Sequence, residues 1–290
     1  MTNSIKANNI TVQFGNQLAL QNVSFDIQGP KVVGLLGKNG AGKTTLLSLL
    51  ASFREPSSGQ IMIDGEEAFE NATAMQKVAF IYDKDWKEED EKIKEILKLV
   101  ERYRPNFDRD YAMELIEKFQ LPTNKPIKKF SKGMQSKLNA VIGLSGRTPI
   151  TFFDETYQGM DAESRDTFYR ELLADQERHP RLIILSTHLV SEMDYLFDEV
   201  LIINNGKLLL QENYEDLITQ GASIVGEKEK VDRFTSGMQI LNEQSLGNTK
   251  SVMVFGALSE SMQLEAELQG LEVGPVSLQD LFIHLTKEDR

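Results

Sequence analysis

A chain of 290 residues, 40% hydrophobic and 26% charged, can bury one large core and a smaller second one, and has the composition of an ordinary soluble protein. A net charge of −12 argues against general nucleic-acid binding, which needs a basic surface to displace counterions, and the lack of cysteine excludes a disulfide framework and a thiolate metal site. The longest apolar runs, such as Leu182-Ile183-Ile184-Leu185, are strand-sized, and Met1-Thr2-Asn3-Ser4-Ile5-Lys6 has no apolar signal core, so neither a membrane span nor secretion is expected.

In chain order, Ile5, Ile10, Val12 and Phe14 lie among polar residues as in a strand, Gly15-Asn16-Gln17 turns the chain, and Leu18–Ile27 resumes the strand pattern up to Gly29-Pro30. The apolar run Lys31–Leu36 then meets Gly37-Lys38-Asn39-Gly40-Ala41-Gly42-Lys43-Thr44 and the helical pattern that follows it. This is the G-x-x-x-x-G-K-[ST] phosphate-binding loop in the strand–loop–helix setting it requires. Glycines let the backbone curl around an anion, and the freed N–H groups of the loop and helix start point at phosphates. Lys43 is placed to reach the β- and γ-phosphates, Thr44 to sit on Mg²⁺ and Thr45 to touch the α-phosphate.

Gln60–Asp64 and Lys77–Asp83 read as further strands. From Trp86 the character changes: Glu88-Glu89-Asp90-Glu91-Lys92 opens a charged helix carrying Ile93, Ile96, Leu97 and Val100 on one face, and helical patterns return at Asp110–Phe119 and Ser131–Leu144. This predicts a helical insert over about 86–147. Three apolar strands follow, Ile150–Phe153, Leu182–Leu185 and Val200–Ile203, with a helix over Ala162–Arg178 between the first two, so the sheet should be mostly parallel and covered on both faces. Asn204-Asn205-Gly206-Lys207 is a hairpin turn. The expected division is 1–219 and 220–290, the latter a small α+β unit with strands near Ser223–Val225, Met238–Leu241 and Ser251–Phe255 and helices at Lys228–Phe234, Ser259–Leu268 and Leu278–Leu285.

Hydrolysis needs more than a phosphate cradle. The strand Ile150–Phe153 delivers Asp154 and Glu155 at its C-terminal end; Asp154 can hold Mg²⁺, and Glu155 can polarise the attacking water as a general base. Leu185-Ser186-Thr187-His188 sets a histidine at another strand end, whereas His179 and His284 read as structural.

With these motifs in this order, residues from about Ile5 to Leu217 resemble the ATP-binding subunits of ABC transporters. The resemblance implies an α/β ABC-type cassette: a P-loop core of mostly parallel sheet, an N-terminal antiparallel part and a helical insert, binding ATP with Mg²⁺ and hydrolysing it. Phe14 matches the aromatic that stacks on adenine, where tyrosine is commoner. Phe130-Ser131-Lys132-Gly133-Met134-Gln135 matches the signature, in a form similar to the peptide-antibiotic-exporter branch. Gly159-Met160-Asp161 matches the D-loop and His188 the switch histidine. In the family the signature caps the γ-phosphate held by the opposite subunit, so Ser131 and Gly133 imply a dimer of two ATP-binding chains, identical or not, and a separate transmembrane permease on whose cytoplasmic side they sit. Two positions depart from the pattern: Asp83 stands where the family has a glutamine, as a shorter and charged ligand for Mg²⁺, and Thr156 stands where a proline usually follows the catalytic glutamate. The tail Pro275–Phe282 is similar to tails of bacitracin-type exporters. The competing readings are a soluble ABC-type ATPase acting on nucleic acid or the ribosome, disfavoured by the acidic balance and single cassette, and a small-molecule phosphotransferase, which leaves Ser131–Gln135 and His188 unexplained.

Overall fold

Alternating apolar residues build the first sheet. In the computed structural model, which describes residues 3–84 and 86–287, the strands Ser4–Phe14 and Gln17–Gln28 pair antiparallel and bury Ile5, Ile10, Val12, Val23 and Ile27 on one side. Ser58–Ile63 and Glu66–Glu67 complete a four-stranded sheet. Met1 and Thr2, which open the stretch expected to lack a signal, lie outside the described residues.

The second sheet has six strands, in the order Lys207–Asn213, Glu199–Asn204, Lys31–Leu36, Leu182–Thr187, Ile150–Asp154, Val78–Ile81. All pairings are parallel except that of the hairpin Glu199–Asn213. The three central parallel strands, Lys31–Leu36, Leu182–Thr187 and Ile150–Asp154, are almost wholly buried, as strands covered on both faces must be. The helix Lys43–Leu50 lies in the core shared by the two sheets, with Leu46, Leu47, Leu49 and Leu50 all at most 1% exposed. Each buried leucine contributes about 2 kcal/mol, so the helix that starts at the phosphate loop is firmly held.

Register brings the chemistry to one edge. Leu36 pairs with Thr187 and Asp154 with Ser186, so the phosphate loop, Asp154-Glu155 and His188 all leave the sheet at its C-terminal side. Between the strands Val78–Ile81 and Ile150–Asp154 the chain forms the helices Ile93–Tyr103, Arg109–Lys118 and Lys132–Ser145. Gly143 seats the last on the sheet: a Cβ there would meet the Phe153 ring at 2.3 Å. The acidic run Glu88–Lys92 is not helical, contrary to the periodicity. Lys128 N–H and Ile127 N–H donate to the carbonyls of Glu89 and Glu91, and Lys92 bridges to Pro126, so the run is held as a turn and an irregular segment and the helix starts at Ile93.

A third, antiparallel sheet holds Gln239–Leu246, Thr249–Phe255, Gly221–Glu227 and Glu272–Pro275, with the helices Lys228–Phe234 and Glu260–Leu268 and a small core around Ile224, Val231, Val252 and Leu271. The final helix, Leu278–Leu285, joins a different core: Leu278, Leu281 and Phe282 are buried in the same cluster as Val190 and Met193 of the main body.

Candidate active site

Gly42, at φ 111°, ends the phosphate loop in the left-handed region, and a Cβ there would lie 2.9 Å from Leu20 and 3.0 Å from the Ala19 carbonyl, so only glycine fits between loop and first sheet. The loop borders a cavity of about 620 Å³, within the usual range for small-ligand sites. Phe14 stands on its rim, 48% exposed, with the Arg54 guanidinium 5.0 Å over its ring. Asn39, Gly40, Gly42, Lys43, Thr44 and Thr45 line the cavity, as does Glu155. Ala41 does not: its N–H donates to the Lys38 carbonyl and its own carbonyl accepts from Gly206 N–H at 3.0 Å. The Gly206 carbonyl in turn accepts from Gln21 N–H at 2.8 Å, so the hairpin turn stitches the phosphate loop to the first sheet.

Lys43 is 5% exposed and its ammonium is fully engaged. It donates to the Gly37 carbonyl at 2.7 Å and the Lys38 carbonyl at 3.3 Å, and pairs with Glu155 Oε1 at 3.1 Å. Glu155 reaches it because its backbone leaves the strand at φ +46°, a conformation of order 1–2 kcal/mol above the ordinary one. Its N–H donates to Ser186 Oγ at 3.1 Å, Gln158 donates to its second oxygen, and His188 Nδ1 lies 3.3 Å from Oε1.

Beside this lies a smaller cavity of about 260 Å³ lined by Thr44, Asp83, Asp154, Glu155 and Gln158. Thr44 Oγ1 donates to Asp154 Oδ2 at 2.6 Å, and Ser186 Oγ to Oδ1 at 2.5 Å. Hydroxyl and carboxylate oxygens gathered this way form the hard donor set a small divalent cation takes. Asp83 pairs with Lys132. Asn139 holds Asp83's neighbour Tyr82 and also Trp86: its Nδ2 donates to the Tyr82 carbonyl and its Oδ1 accepts from Trp86 Nε1.

Ser131 and Gly133 line neither cavity. Ser131 is exposed and caps the helix Lys132–Ser145, accepting from Met134 N–H at 3.3 Å. Gly133 abuts the loop at Gly159, whose carbonyl would lie 2.4 Å from an added Cβ. Ser186, Asn139, Gln158 and Tyr157 were not singled out by sequence. Tyr157 shares a 2.9 Å hydrogen bond with Thr187 Oγ1 and lies 3.4 Å from His188 Nδ1. Burial pushes its phenol up to about 12, against the opposing pull of Thr187, so it stays neutral beside the histidine. Only the position of Ser186 directly before Thr187-His188 hinted at it.

A glycine loop on a parallel-sheet edge, a buried lysine and two strand-end carboxylates together define a P-loop nucleotide-binding protein. The family model for ABC transporters matches residues 20–158. NatA, an ABC transporter ATP-binding protein of Bacillus subtilis (strain 168), is 33% identical over 206 residues, 69% of this chain and 83% of that protein. The bacitracin transport ATP-binding protein BcrA of Bacillus licheniformis is 29% identical over 222 residues, 75% of this chain and 72% of that one. Among solved structures, a dimeric ATP-binding cassette in a post-hydrolysis state bound to ADP and Pi superposes with a TM-score of 0.62 at 18% identity, covering 72% of this chain and 98% of that chain. The chain belongs to the ABC transporter family, as an ATP-binding subunit with the ABC cassette fold and ATPase activity.

Proposed function

We propose that this chain powers an exporter of a peptide or other envelope-active compound, working as one of two ATP-binding chains under a separate membrane permease. The observation that carries the reading is the separation, within one chain, of the phosphate loop from Ser131: Ser131 is exposed at a helix start and borders neither cavity beside Lys43. A γ-phosphate held by one chain is then capped by the Ser131 hydroxyl and Gly133 N–H of the other, head to tail. The likeness to a bacitracin transport protein supports the choice of cargo class.

In the assembled site Phe14 stacks on the base, and the loop N–H groups of Asn39, Gly40, Gly42, Lys43, Thr44 and Thr45 enclose the phosphates, while the Ala41 N–H stays on the Lys38 carbonyl. Lys43 moves from the Gly37 and Lys38 carbonyls to the β- and γ-phosphates. Thr44, Asp154 and Asp83 hold Mg²⁺, which when bound neutralises charge on the phosphate oxygens. Glu155 accepts a proton from water as the water oxygen bonds to the γ-phosphorus. The bond from phosphorus to the β–γ bridging oxygen breaks, and ADP departs with that oxygen's electron pair. His188 holds Glu155 in line, and Tyr157 holds His188.

No described helix is long and apolar enough to cross a membrane, so contact with the bilayer is assigned to the permease. Two adjoining apolar cavities of about 230 and 270 Å³, lined by Phe80, Tyr82, Leu99, Val100 and Ile142, offer it a docking groove next to Asp83. Phe53, 60% exposed, extends that surface by packing edge-on to Phe80 and Tyr82. The nucleotide machinery occupies 1–219, and 220–290 is an accessory unit.

Co-expression with a candidate multi-spanning permease tests the reading. The expected result is a detergent-stable complex whose ATP hydrolysis changes with the permease and is lost with Leu99→Glu. A chain that never binds any permease, and instead sediments with ribosomes or DNA, would replace export with the nucleic-acid alternative.

A further inference from the structure

The phosphate loop has a partner that its motif does not require. Lys38, the second residue of Gly37–Thr44, donates from Nζ to the backbone carbonyl of Thr286 at 2.8 Å, across 248 positions of sequence. Thr286 closes the helix Leu278–Leu285 and is itself fully buried. Its N–H and Oγ1 both donate to the Phe282 carbonyl, at 3.0 and 2.8 Å. Its own carbonyl is among the orphan acceptors at a helix C-terminus, where the macrodipole favours a cation. The helix cannot drift from this place, because Leu278, Leu281 and Phe282 are sunk in the main core and the helix packs on Val190–Met193, just beyond His188.

On its other side Lys38 belongs to the site. Its carbonyl accepts from Ala41 N–H at 3.0 Å and is one of the two carbonyls that hold the Lys43 ammonium. When Lys43 turns to a phosphate it leaves that carbonyl, and the Lys38 main chain would be free to follow it or collapse were its side chain not anchored. The C-terminal helix thus touches the nucleotide site at both ends of the chemistry, the phosphate loop and the segment after the strand-end histidine.

We propose that Lys38 is a positioning residue through which the C-terminal helix and the nucleotide site are coupled: the helix end holds the loop in the shape that accepts phosphate, and bound nucleotide secures the helix in return. The proposal rests on the ATP-binding reading above. Coupling of this kind is reciprocal, so whatever factor the helix contributes to nucleotide affinity, nucleotide must return to the helix.

The test compares the full-length chain with Lys38→Met, which keeps the aliphatic stem, and Lys38→Arg, which keeps a cationic donor. The probe is a fluorescent, non-hydrolysable ATP analogue with magnesium, read by titration and by amide hydrogen exchange over residues 278–287. Losing one charge-assisted hydrogen bond should weaken analogue affinity by about tenfold in Lys38→Met, and Lys38→Arg should recover most of it. The analogue should slow exchange in 278–287 in the wild type and Lys38→Arg but not in Lys38→Met. If Lys38→Met binds as tightly as the wild type, the proposal falls. It falls equally if Lys38→Met binds weakly while the analogue still slows exchange, because Lys38 then acts on the phosphates directly. A wild-type chain that binds no analogue would instead overturn the nucleotide reading, and this proposal with it.

Discussion

Lys43 Nζ and Glu155 Oε1 lie 3.1 Å apart, with only 5% and 16% of the two side chains exposed. The base proposed for hydrolysis and the cation proposed for the γ-phosphate therefore neutralise each other before nucleotide arrives. Each keeps the other from being a lone buried charge, which would cost several kcal/mol. On the proposed mechanism, entry of a triphosphate would exchange partners: the phosphate would take the ammonium, and the carboxylate would be released toward water.

Glu155→Gln follows from this exchange. The amide no longer competes for Lys43, so ATP affinity should hold or tighten, while hydrolysis should fall by about 10²- to 10⁴-fold with the base gone. ATP-bound dimers should then accumulate. Phosphate release and light scattering read the two effects, and normal turnover in this variant would remove Glu155 from its role.

Lys43→Ala acts on binding itself. It strips a charge-assisted contact from the phosphates and leaves Glu155 without its cation, so affinity for ATP should drop by about ten- to a hundredfold. Titration with an ATP analogue measures this. Unchanged affinity would count against the phosphate-loop assignment.

Gly133→Ala probes the signature without touching the cavities. Its new methyl would press on the Gly159 carbonyl at 2.4 Å, so the loop must shift, at a cost of about 1–3 kcal/mol. The isolated chain should bind ATP normally, because Gly133 lines neither cavity. Turnover, which needs the paired chains, should fall. Urea unfolding and steady-state hydrolysis measure the two consequences; wild-type values in both would show that the helix start tolerates a side chain.

Alkaline pH should destabilise the fold in part through Tyr157. Its phenol is held at about 12 mainly by burial, against an ordinary value of 10.0. The native state therefore keeps a proton that the unfolded chain gives up. This contribution to stability is complete below about pH 10 and shrinks as pH climbs toward about 12. Tyr111 and Tyr169 are raised in the same direction by burial. The urea midpoint should fall across that window, less steeply in Tyr157→Phe; equal slopes would mean that Tyr157 does not contribute.

The sheet, and the gathering of the phosphate loop and two acids at its edge, were legible where a residue type has few reasons to stand where it does. Glycines at Gly37, Gly40 and Gly42, a lysine and two strand-end acids announce a phosphate site without any tertiary information, and apolar runs with helices between them announce a parallel sheet. Ser186 was not legible, because a serine at a strand end means nothing until pairing with Ile150–Asp154 lays it against Asp154. Asn139 lies inside a helix and bonds Tyr82 and Trp86, a distance of more than fifty positions that no periodicity reports. The strand Glu272–Pro275 was missed because a four-residue segment with Gly274 and Pro275 carries turn chemistry, and only pairing with Gly221–Glu227 makes it a strand. Glu88–Lys92 misled because charges next to an apolar stripe look like a helix's outer face, while contacts to Pro126–Lys128 decide otherwise.

The hairpin turn at Asn205-Gly206 has a wider mechanical meaning. Its glycine is wedged against Ala19, whose carbonyl would sit 2.6 Å from any Cβ, while its N–H donates to the Ala41 carbonyl of the phosphate loop and its carbonyl accepts from Gln21 N–H. The Phe14 wall and the phosphate-loop floor of the larger cavity are thereby bolted into a single rigid jig. A nucleotide bound as proposed would find a mould already set, and any movement it causes would have to come from elements that this hairpin does not tie.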